Sequence, residues 1–456
     1  MNTRFAIAAL LLASAGTAQA VVSADCALPG ADCRIGEVAR QAHVFVGTIV
    51  NRDHGPAERA LLAHHFNATT PENEMKWGSI APTVGNYDFT DADAIASFAL
   101  ENDLRLRGHT LVWGRLQLPQ DLASQVAAAP DPAARLREIM AAHFETMTTR
   151  YGDRVRIWDV VNEPLDVVSG AFDANLFYQT LGPGYVADAF TLAHALDPDA
   201  QLFLNEFLLT LPSPKADALV ALVQQLRDAG VPVHGVGIQA HFFPGLPLVD
   251  PAALEAFLHR LGDLGVAVEL TEVDVARWHF RNDPDPLARQ GEFYGAIATA
   301  CMNVPTCSGM TMWGLVDSET WLDTFAPFDA FAPNEPLLFD AALTPKPAYF
   351  AVRDAVARRA VPFADQVAGL LTTWTTSTEA GTLVGSSPGS AGPHQLRRGK
   401  RALERARRRL VRGRFVPACE KLDVVASVLA TAGGGAAREL QTRVATLRDD
   451  LRCDAP

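Results

Sequence analysis

The sequence lacks the spacings that identify several common protein classes. It contains no Cys-x-x-Cys and no His-Glu-x-x-His, which are typical of zinc sites. No Gly-x-Gly-x-x-Gly follows its first strand-like segment, which argues against a dinucleotide-binding fold. No apolar run reaches the roughly 20 residues that are needed to cross a bilayer. We therefore expect no metal, no other cofactor and no transmembrane segment.

Cysteine is scarce, with 6 in 456 residues, and the six fall in near-neighbour pairs. Three local disulfides, formed in an oxidising compartment, are the simplest interpretation. Zinc is the weaker alternative, because no histidine lies at ligand spacing from any pair. The candidate disulfide cysteines are Cys26 with Cys33, Cys301 with Cys307, and Cys419 with Cys453.

Residues 1–20 have the pattern of a secretory signal peptide. Arg4 supplies the positive charge, residues 6–15 are apolar, and residues 18–20 read Ala-Gln-Ala, a small-residue cleavage site. The apolar part is too short to span a bilayer. The mature protein is therefore expected to be secreted or periplasmic.

Acidic residues outnumber basic ones, 52 against 39, for a formal net charge of -13. Residues 397–414 reverse this balance with ten Lys or Arg and a single acid, Glu404, so a segment of net charge +9 leaves the remainder near -22. An acidic body argues against nucleic acid as its partner. The partner of the basic segment stays unknown.

Eight strand-like runs alternate with helical patterns over about 300 residues. Strict alternation implies parallel pairing through right-handed crossovers, so the pattern predicts an α/β protein built on a (β/α)8 TIM barrel. The predicted strands are residues 43–50, 67–73, 104–113, 155–163, 200–207, 234–242, 266–274 and 309–317. The predicted helices include residues 92–102, 132–151, 184–196, 215–229, 251–264 and 287–302.

The composition changes on both sides of the barrel, which is assigned to residues 42–360. Residues 21–41 form a short N-terminal segment with its own cysteine pair. Residues 361–394 are rich in Ser, Thr and Gly and are predicted to be a linker. Residues 395–456 are predicted to be a small basic α-helical module of two or three helices. The one aromatic residue between 395 and 453, Phe415, argues against a platform of rings for binding sugars.

Polar and aromatic residues cluster where the predicted strands end, the edge at which such barrels carry their active sites. One strand ends at Asn162 and Glu163, and another carries Glu272 near its end. Two glutamates across a cleft can hydrolyse a glycosidic bond: one protonates the leaving oxygen while the other attacks the anomeric carbon or activates water. The remaining members of the cluster are Glu72, Asn73, Lys76, His109, Trp113, Gln239, His241, Trp313 and Trp321.

Successive motifs around these residues resemble those of glycoside hydrolase family 10, the endo-β-1,4-xylanases. They occur in order between about residues 43 and 356, one per expected strand. The motifs are TPENEMKW at 70–77, GHTLVW at 108–113, WDVVNE at 158–163, ELTEVD at 269–274, TMWG at 311–314 and LTPKPAY at 343–349.

The resemblance implies a retaining endo-β-1,4-xylanase that cleaves the xylan backbone by double displacement. Glu163 would be the acid/base and Glu272 the nucleophile, with carboxyl groups roughly 5–5.5 Å apart. His241 would keep Glu272 ionised. The implied sugar-binding residues are Asn162 at the 2-hydroxyl, Glu72, Asn73 and Lys76 on the glycone side, His109 and Gln239 around the cleaved sugar, and Trp113, Trp313 and Trp321 as walls. A Cys301–Cys307 disulfide is also implied, and we expect a monomer.

Two alternatives stay open. One is a retaining β-glycanase on the same barrel that acts on glucan or a mixed-linkage polysaccharide; the other is a barrel that binds polysaccharide without cutting it. The sequence departs from the family after Trp113, where Gly114-Arg115 stands in place of a histidine and tight loop, and at Phe207, where a tyrosine often lines the leaving-group side. These departures leave chain-length preference and product pattern open.

Overall fold

The computed structural model describes residues 25–28, 31–386, 391–412, 414–451 and 453. The predicted signal peptide lies outside these residues. Within them the chain forms two compact units, one up to Ala360 and one made of residues 25–28 with those from Val361 onward. None of the helices described in these ranges combines the length and apolar character needed to cross a membrane.

Eight parallel strands close into a barrel in the first unit, which confirms the predicted (β/α)8 fold. The strands are β1 (Phe45–Val50), β2 (Ala68–Pro71), β3 (Arg105–Trp113), β4 (Val155–Asn162), β5 (Gln201–Glu206), β6 (Gly235–Ile238), β8 (Ala267–Val275) and β9 (Cys307–Met312). Each pairs with its neighbours in the order β6-β5-β4-β3-β2-β1-β9-β8, and a β6–β8 pairing closes the ring. A two-residue strand, β7 (His241–Phe242), extends the pairing of β8 beyond the closure.

Helices follow the strands and cover the barrel. They are α1 (Ile35–Gln41), α2 (Pro56–His65), α3 (Trp77–Ile80), α4 (Thr90–Glu101), α5 (Leu122–Ala127), α6 (Pro132–Tyr151), α7 (Leu176–Leu181), α8 (Tyr185–Leu196), α9 (Pro214–Asp228), α10 (Pro251–Gly262), α11 (Pro286–Asn303) and α12 (Pro347–Ala357). Several start with proline directly after a capping side chain, such as Asp131 before α6 and Ser213 before α9. Because proline needs no hydrogen bond at the first helical position, this pairing fixes where the helices begin.

The barrel interior contains a buried network of charges. The Arg107 guanidinium bonds to the carboxylates of Asp159 and Glu269, and Arg105 adds a second cation to Glu269 at 2.9 Å. At the upper end of this network, His109 Nδ1 lies 2.9 Å from Asp159 Oδ2. Buried charges are stable only when paired, so this network fixes the height and rotation of His109 at the mouth of the barrel.

Several predicted strands are shorter in the structure, and two of them stop at a change of backbone direction. The segment 234–242 divides into β6 and β7, because Ala240 adopts a left-handed backbone conformation (φ 61°) that interrupts the ladder. The segment 309–317 ends at Met312, since Gly314 has a φ of 155° and Asp317 turns away to accept from Lys346 Nζ at 2.8 Å.

The described residues of the N-terminal segment 21–41 divide between the two units. Its helix α1 belongs with the barrel, where Ile35, Val38 and Ala39 are buried and the Ile35 amide donates to Tyr349 Oη over 3.2 Å. The apolar face of α1 therefore adds to the barrel core. Residues 25–28 belong to the second unit, in which Asp25 accepts from the Phe363 amide at 2.9 Å.

The second unit is a four-helix structure that begins inside the predicted linker. Its helices are α13 (Phe363–Glu379), α14 (Ala391–Leu410), α15 (Phe415–Thr431) and α16 (Gly435–Asp450). Each helix packs on the next, and α16 returns to α13. The linker prediction for 361–394 was wrong over α13, because Phe363, Val367, Leu370 and Trp374 repeat at helical spacing and are all buried in the unit's core.

The described cysteines are all disulfide-bonded. Cys301 bonds to Cys307, and Cys419 on α15 bonds to Cys453 beyond α16, as the sequence predicts. Cys26 and Cys33 are also disulfide-bonded. The pairs at 301–307 and 419–453 tie neighbouring elements together within their own units.

We expect the double substitution C419S/C453S to destabilise the four-helix unit by about 3–4 kcal/mol, because the bond closes a loop of 34 residues in the unfolded chain. Differential scanning calorimetry should show the melting transition of this unit move to lower temperature while that of the barrel stays in place. An unchanged pair of transitions would contradict the expectation.

Candidate active site

Two buried glutamates lie at the carboxyl-terminal mouth of the barrel. Glu163 directly follows β4 and Glu272 lies within β8, with exposures of only 8% and 4%. Glu163 has a left-handed backbone (φ 53°), a conformation that costs a non-glycine residue on the order of 1–3 kcal/mol. Such strain persists only where the surroundings enforce it, which is common at functional sites.

Glu272 is surrounded by groups that favour its charged form. Asn205 Nδ2 donates to Glu272 Oε1 over 2.7 Å, and His241 Nε2 lies 3.1 Å from Oε2. Burial alone would raise the pKa of Glu272, but the hydrogen bond from His241 and the charges of His109, His241 and Lys76 outweigh it and lower that pKa below the ordinary 4.5. Glu272 is therefore a carboxylate, suited to act as a nucleophile or base.

His241 is held in its charged form by a second carboxylate. Burial opposes the charge, yet Asp274, whose Oδ2 lies 2.9 Å from His241 Nδ1, together with Glu272 raises the pKa of His241 to about 10. Trp321 Nε1 donates to the same Asp274 oxygen over 2.9 Å. The chain Trp321–Asp274–His241–Glu272 thus fixes the histidine with a nitrogen directed at each carboxylate.

Glu163 has a different set of neighbours. Gln239 Nε2 donates to Glu163 Oε1 over 2.9 Å, and Trp113 Nε1 donates to Oε2 over 3.0 Å. Arg115 approaches Oε2 only to 3.8 Å, because its guanidinium is engaged by Asp173 at 3.0 Å and by the Leu165 carbonyl at 3.2 Å. Glu163 therefore faces neutral donors and one cation that is shared with another acid.

Asn205 and Gln239 each form hydrogen bonds with both glutamates. Each bonds to one glutamate through its main-chain carbonyl and to the other through its side-chain amide. The Asn205 carbonyl accepts from the Glu163 amide at 2.9 Å while its side chain donates to Glu272. The Gln239 carbonyl accepts from the Glu272 amide at 2.9 Å while its side chain donates to Glu163. Asn162 Oδ1 also accepts from Asn205 Nδ2 at 2.9 Å, so the amides at the mouth form one network.

Lys76 lies between two indole rings on the other side of the cleft. Its Nζ is 5.0 Å from the centre of the Trp113 ring and 5.5 Å from that of Trp313, and it donates to Asn73 Oδ1 over 3.2 Å. Burial lowers the pKa of Lys76, and nearby carboxylates, Glu272 first among them, oppose that shift. Asn73 and Lys76 of the TPENEMKW motif therefore lie in the same site as the two buried glutamates.

The remaining predicted residues also lie at this mouth. Glu72 is half-buried and accepts from Asn51 Nδ2 at 2.8 Å. His109 packs edge-on against Trp313, with ring centres 5.3 Å apart, and His241 packs against Trp321 at the same distance. The structure thus brings the predicted site residues together on one unit, and none of them lies elsewhere.

The predicted list of site residues does not include several that the structure adds. They are Asn205, Asp274, Asp159 and the buried pair of Glu206 with Lys215, whose carboxylate and ammonium lie 2.8 Å apart. Burial raises the pKa of Glu206 to about 7. Glu206 and Asp274 lie at or next to a strand end and Asp159 lies inside the apolar strand β4, and an acid in these positions was the available signal.

No group of three or more His, Cys, Asp or Glu side chains is arranged to hold a metal ion among the residues with described positions. The site instead presents two acids, amides, a lysine and indole faces to one cleft. Such a set can hold a hydroxyl-rich ring and act on it by proton transfer and nucleophilic attack.

Comparison with known families identifies a protein family that matches this chain. The model of glycosyl hydrolase family 10 matches residues 35–355, which is more than half of the chain. The match includes every strand of the barrel and both buried glutamates, and it ends before α13.

Curated relatives and solved structures agree with the family match. The chain is 35% identical over 327 residues to endo-1,4-beta-xylanase C of Phanerodontia chrysosporium, covering 70% of this chain and 78% of the relative. It is 38% identical over 302 residues to a beta-1,4-xylanase of Dictyoglomus thermophilum, covering 64% and 82%. The crystal structure of native xylanase 10B from Thermotoga maritima superposes with a TM-score of 0.65 at 30% identity, covering 72% of this chain and 99% of that one.

Proposed function

Because the chain belongs to glycosyl hydrolase family 10, we propose that it is an exported endo-β-1,4-xylanase that cleaves the xylan backbone with retention of configuration. The observation that carries this proposal is the pair Glu163 and Glu272, buried at one barrel mouth in different electrostatic surroundings. Two acids whose surroundings differ in this way can divide the roles of proton donor and nucleophile.

Glu272 is proposed as the nucleophile. In the first step its carboxylate attacks the anomeric carbon and the glycosidic C–O bond breaks. The Glu163 carboxyl delivers its proton to the leaving oxygen in the same step, which gives a glycosyl-enzyme ester on Glu272 and a shortened chain with a free hydroxyl. The lowered pKa of Glu272 suits this role, since a nucleophile must be ionised before attack.

Glu163 returns as a base in the second step. It accepts a proton from water as the water oxygen attacks the anomeric carbon, and the ester bond to Glu272 breaks. Glu163 is then protonated again and Glu272 is again a carboxylate. The neutral donors Gln239 and Trp113 can hold Glu163 in both protonation states, because a carboxyl oxygen that gains a proton keeps a lone pair that can still accept a hydrogen bond.

The sugar itself is proposed to lie at the barrel mouth beside Lys76 and the indole side chains. Trp113, Trp313 and Trp321 offer apolar faces, two of them with their indole nitrogens already bonded to acids, so the rings are fixed before substrate binds. The proposed hydroxyl ligands are Glu72, Asn73, Lys76, His109, Asn162 and Gln239. Buried groups of this kind discriminate strongly against a ligand that lacks the matching hydroxyl.

Release of reducing sugar from xylan, cellulose and mixed-linkage β-glucan tests the substrate. We expect release from xylan to exceed that from either glucan by at least about tenfold, since one wrongly placed group in a sugar pocket costs on the order of 1–3 kcal/mol. Equal release from cellulose would favour a broader β-glycanase, and binding without any release would favour a non-hydrolytic barrel.

Proton NMR of the first products should show the β-anomer before mutarotation; an α-anomer would exclude retention.

Export is proposed from residues 1–20 and from the disulfides. N-terminal sequencing of the protein recovered outside the cytoplasm tests it directly. We expect the mature chain to begin after Ala20; an intact Met1 on the active protein would contradict this proposal.

His241→Asn should move the acid limb of kcat/KM to higher pH. His241 is charged at neutral pH and stabilises the Glu272 carboxylate, so removing that charge raises the pKa of Glu272. Activity requires the ionised form and is lost as pH falls through this pKa. The loss should therefore occur at a pH about one unit higher, the shift produced by about 1.4 kcal/mol of lost interaction.

The matched control is His259→Asn, in the last turn of the outer helix α10. That variant should keep the parent pH profile. A lower kcat for His241→Asn with an unmoved acid limb would mean that His241 only supports the fold of the site.

A further inference from the structure

The four-helix unit carries a groove lined almost entirely by cations. The groove, about 380 Å³ in volume, lies between α14 and α15. The residues that line it with charge are Arg397, Arg398, Arg401 and Arg405 from α14 and Lys421 from α15, and His394, Ala402 and Val424 complete its walls. We refer to it as the cationic groove.

The cations of the groove recur with helical spacing. Arg397, Arg401 and Arg405 follow one another at four-residue intervals, so they form one row along the helix. The opposite side of α14 is apolar, and Leu396, Leu403 and Leu410 are buried in the core of the unit. The row therefore faces away from the core, and Lys421 on the adjacent helix contributes charge to the same space.

The four arginines of the groove form no ion pair with any acid in the described part of the chain, and all four are exposed. Lys421 has one carboxylate near it, Glu420 at 3.4 Å. Like charges four residues apart on a helix repel each other and destabilise the helix. A row that costs stability in the free protein is explained most simply by an anionic ligand that offsets the repulsion.

Neutral sugars do not fit this surface. The four-helix unit has no exposed Phe, Tyr or Trp ring in its described residues: Phe363 and Trp374 are buried in its core, and Phe415 packs partly buried against the same core. Stacking on flat rings, the usual way to hold an uncharged sugar, is therefore not offered here. What the groove offers is guanidinium groups, which bind carboxylates through two parallel hydrogen bonds.

We propose that the cationic groove binds the carboxylates of a uronate-bearing polysaccharide and so holds the full chain on an acidic, substituted xylan. This inference rests on the proposed function, because a module joined to a polysaccharide hydrolase works on the polymer that the hydrolase cuts. A concave groove suits a narrow chain with side carboxylates. A bilayer surface would instead be met by a convex helix face with large apolar residues beside the charges, and only Ala402 and Val424 line this groove.

Isothermal titration of the full chain with a soluble xylan carrying glucuronate groups tests the proposal. The matched ligand is the same polymer after chemical reduction of its carboxyl groups to alcohols, and Glu272→Gln in all proteins limits hydrolysis during the measurement. We expect carboxyl reduction to weaken binding at least tenfold. The triple variant R397Q/R401Q/R405Q should lose the same factor on the acidic polymer and change nothing on the reduced one.

A second triple variant separates a site from general attraction. R408Q/R412Q/R438Q removes the same charge from exposed positions that do not line the groove. It should retain binding within about threefold; an equal loss in both triples would overturn the proposal, as would tighter binding to phosphatidylglycerol vesicles or duplex DNA than to the acidic polymer.

The proposed activity is measured separately, with Glu272 present. If the chain with an intact groove fails to hydrolyse unsubstituted xylan but still binds the acidic polymer, the proposed function fails and the groove stands. If it hydrolyses xylan but does not distinguish the acidic from the reduced polymer, the groove proposal fails and the enzyme stands. Circular dichroism of both triples verifies that the helices persist.

Discussion

Glu272→Ala should lower kcat on xylan by between about 10⁴ and 10⁶-fold while leaving the barrel folded. Losses of this size follow removal of the nucleophile, or of the residues that activate it, from a hydrolase that acts through a covalent intermediate. The fold should persist because the groups around Glu272 keep other partners: Asn205 still donates to Asn162, and His241 still bonds to Asp274.

Azide provides the sharper readout for this variant. With an activated aryl xyloside, azide can enter the space left by the missing carboxylate and attack the anomeric carbon from that side. The expected product is the α-glycosyl azide, and its formation should restore turnover. Retained activity on xylan without azide would show that Glu272 is not the nucleophile, and a lowered melting temperature would show that the substitution disturbs the fold as well.

Glu163→Ala should produce a loss that depends on the leaving group. On xylan, whose leaving sugar needs a proton, we expect kcat/KM to fall by about 10²–10⁴-fold, the usual contribution of a general acid. On a dinitrophenyl xyloside, which leaves without protonation, kcat/KM should stay within about tenfold of the parent. The second step still lacks its base, so the glycosyl-enzyme accumulates and a burst of dinitrophenol precedes slow turnover.

Azide again distinguishes the role, because here it replaces water in the second step. It should speed turnover of the Glu163 variant and give the β-glycosyl azide, the opposite anomer to that expected from Glu272→Ala. Equal losses on xylan and on the dinitrophenyl substrate would contradict an acid/base role for Glu163.

The barrel could be predicted from sequence because its strands are buried on both faces and its helices carry explicit start signals. Five of the eight residues of the run Val155–Asn162 are apolar and seven are buried, and α6 begins with a proline that follows its capping aspartate. The break at Ala240 could not be predicted. A left-handed alanine leaves no mark in composition, because alanine is a residue type that ordinarily occupies helices and strands.

The site could be predicted as far as side chains carry a chemical signature. Glutamates, tryptophans and a lysine at strand ends are conspicuous, whereas Asn205 looks like an ordinary polar residue until its position between the two glutamates is known. Asp274 was visible at the end of its strand, yet its bond to His241 depends on the separate strand β7, which no pattern indicated.

The linker prediction failed because two signals competed in 361–394. The run of threonines between 372 and 378 suggested an irregular segment, while the four apolar residues at helical spacing were sparse. In the structure several of these threonines bond to the carbonyl four residues earlier, for example Thr375 Oγ1 to Leu371 at 2.8 Å. Their hydroxyls are thereby satisfied within the helix, and burial of the apolar stripe decides the conformation.

The reciprocal bonding of Asn205 and Gln239 has a kinetic consequence. Each residue is attached to both glutamates, so displacing either one changes the attack on the anomeric carbon and the transfer of the proton together. Variants at these two positions should slow formation and breakdown of the glycosyl-enzyme by similar factors. The steady-state fraction of enzyme in the intermediate should then stay unchanged while the turnover rate falls. In the proposed mechanism, Asn205 and Gln239 would therefore couple the timing of the two half-reactions, because each positions both glutamates.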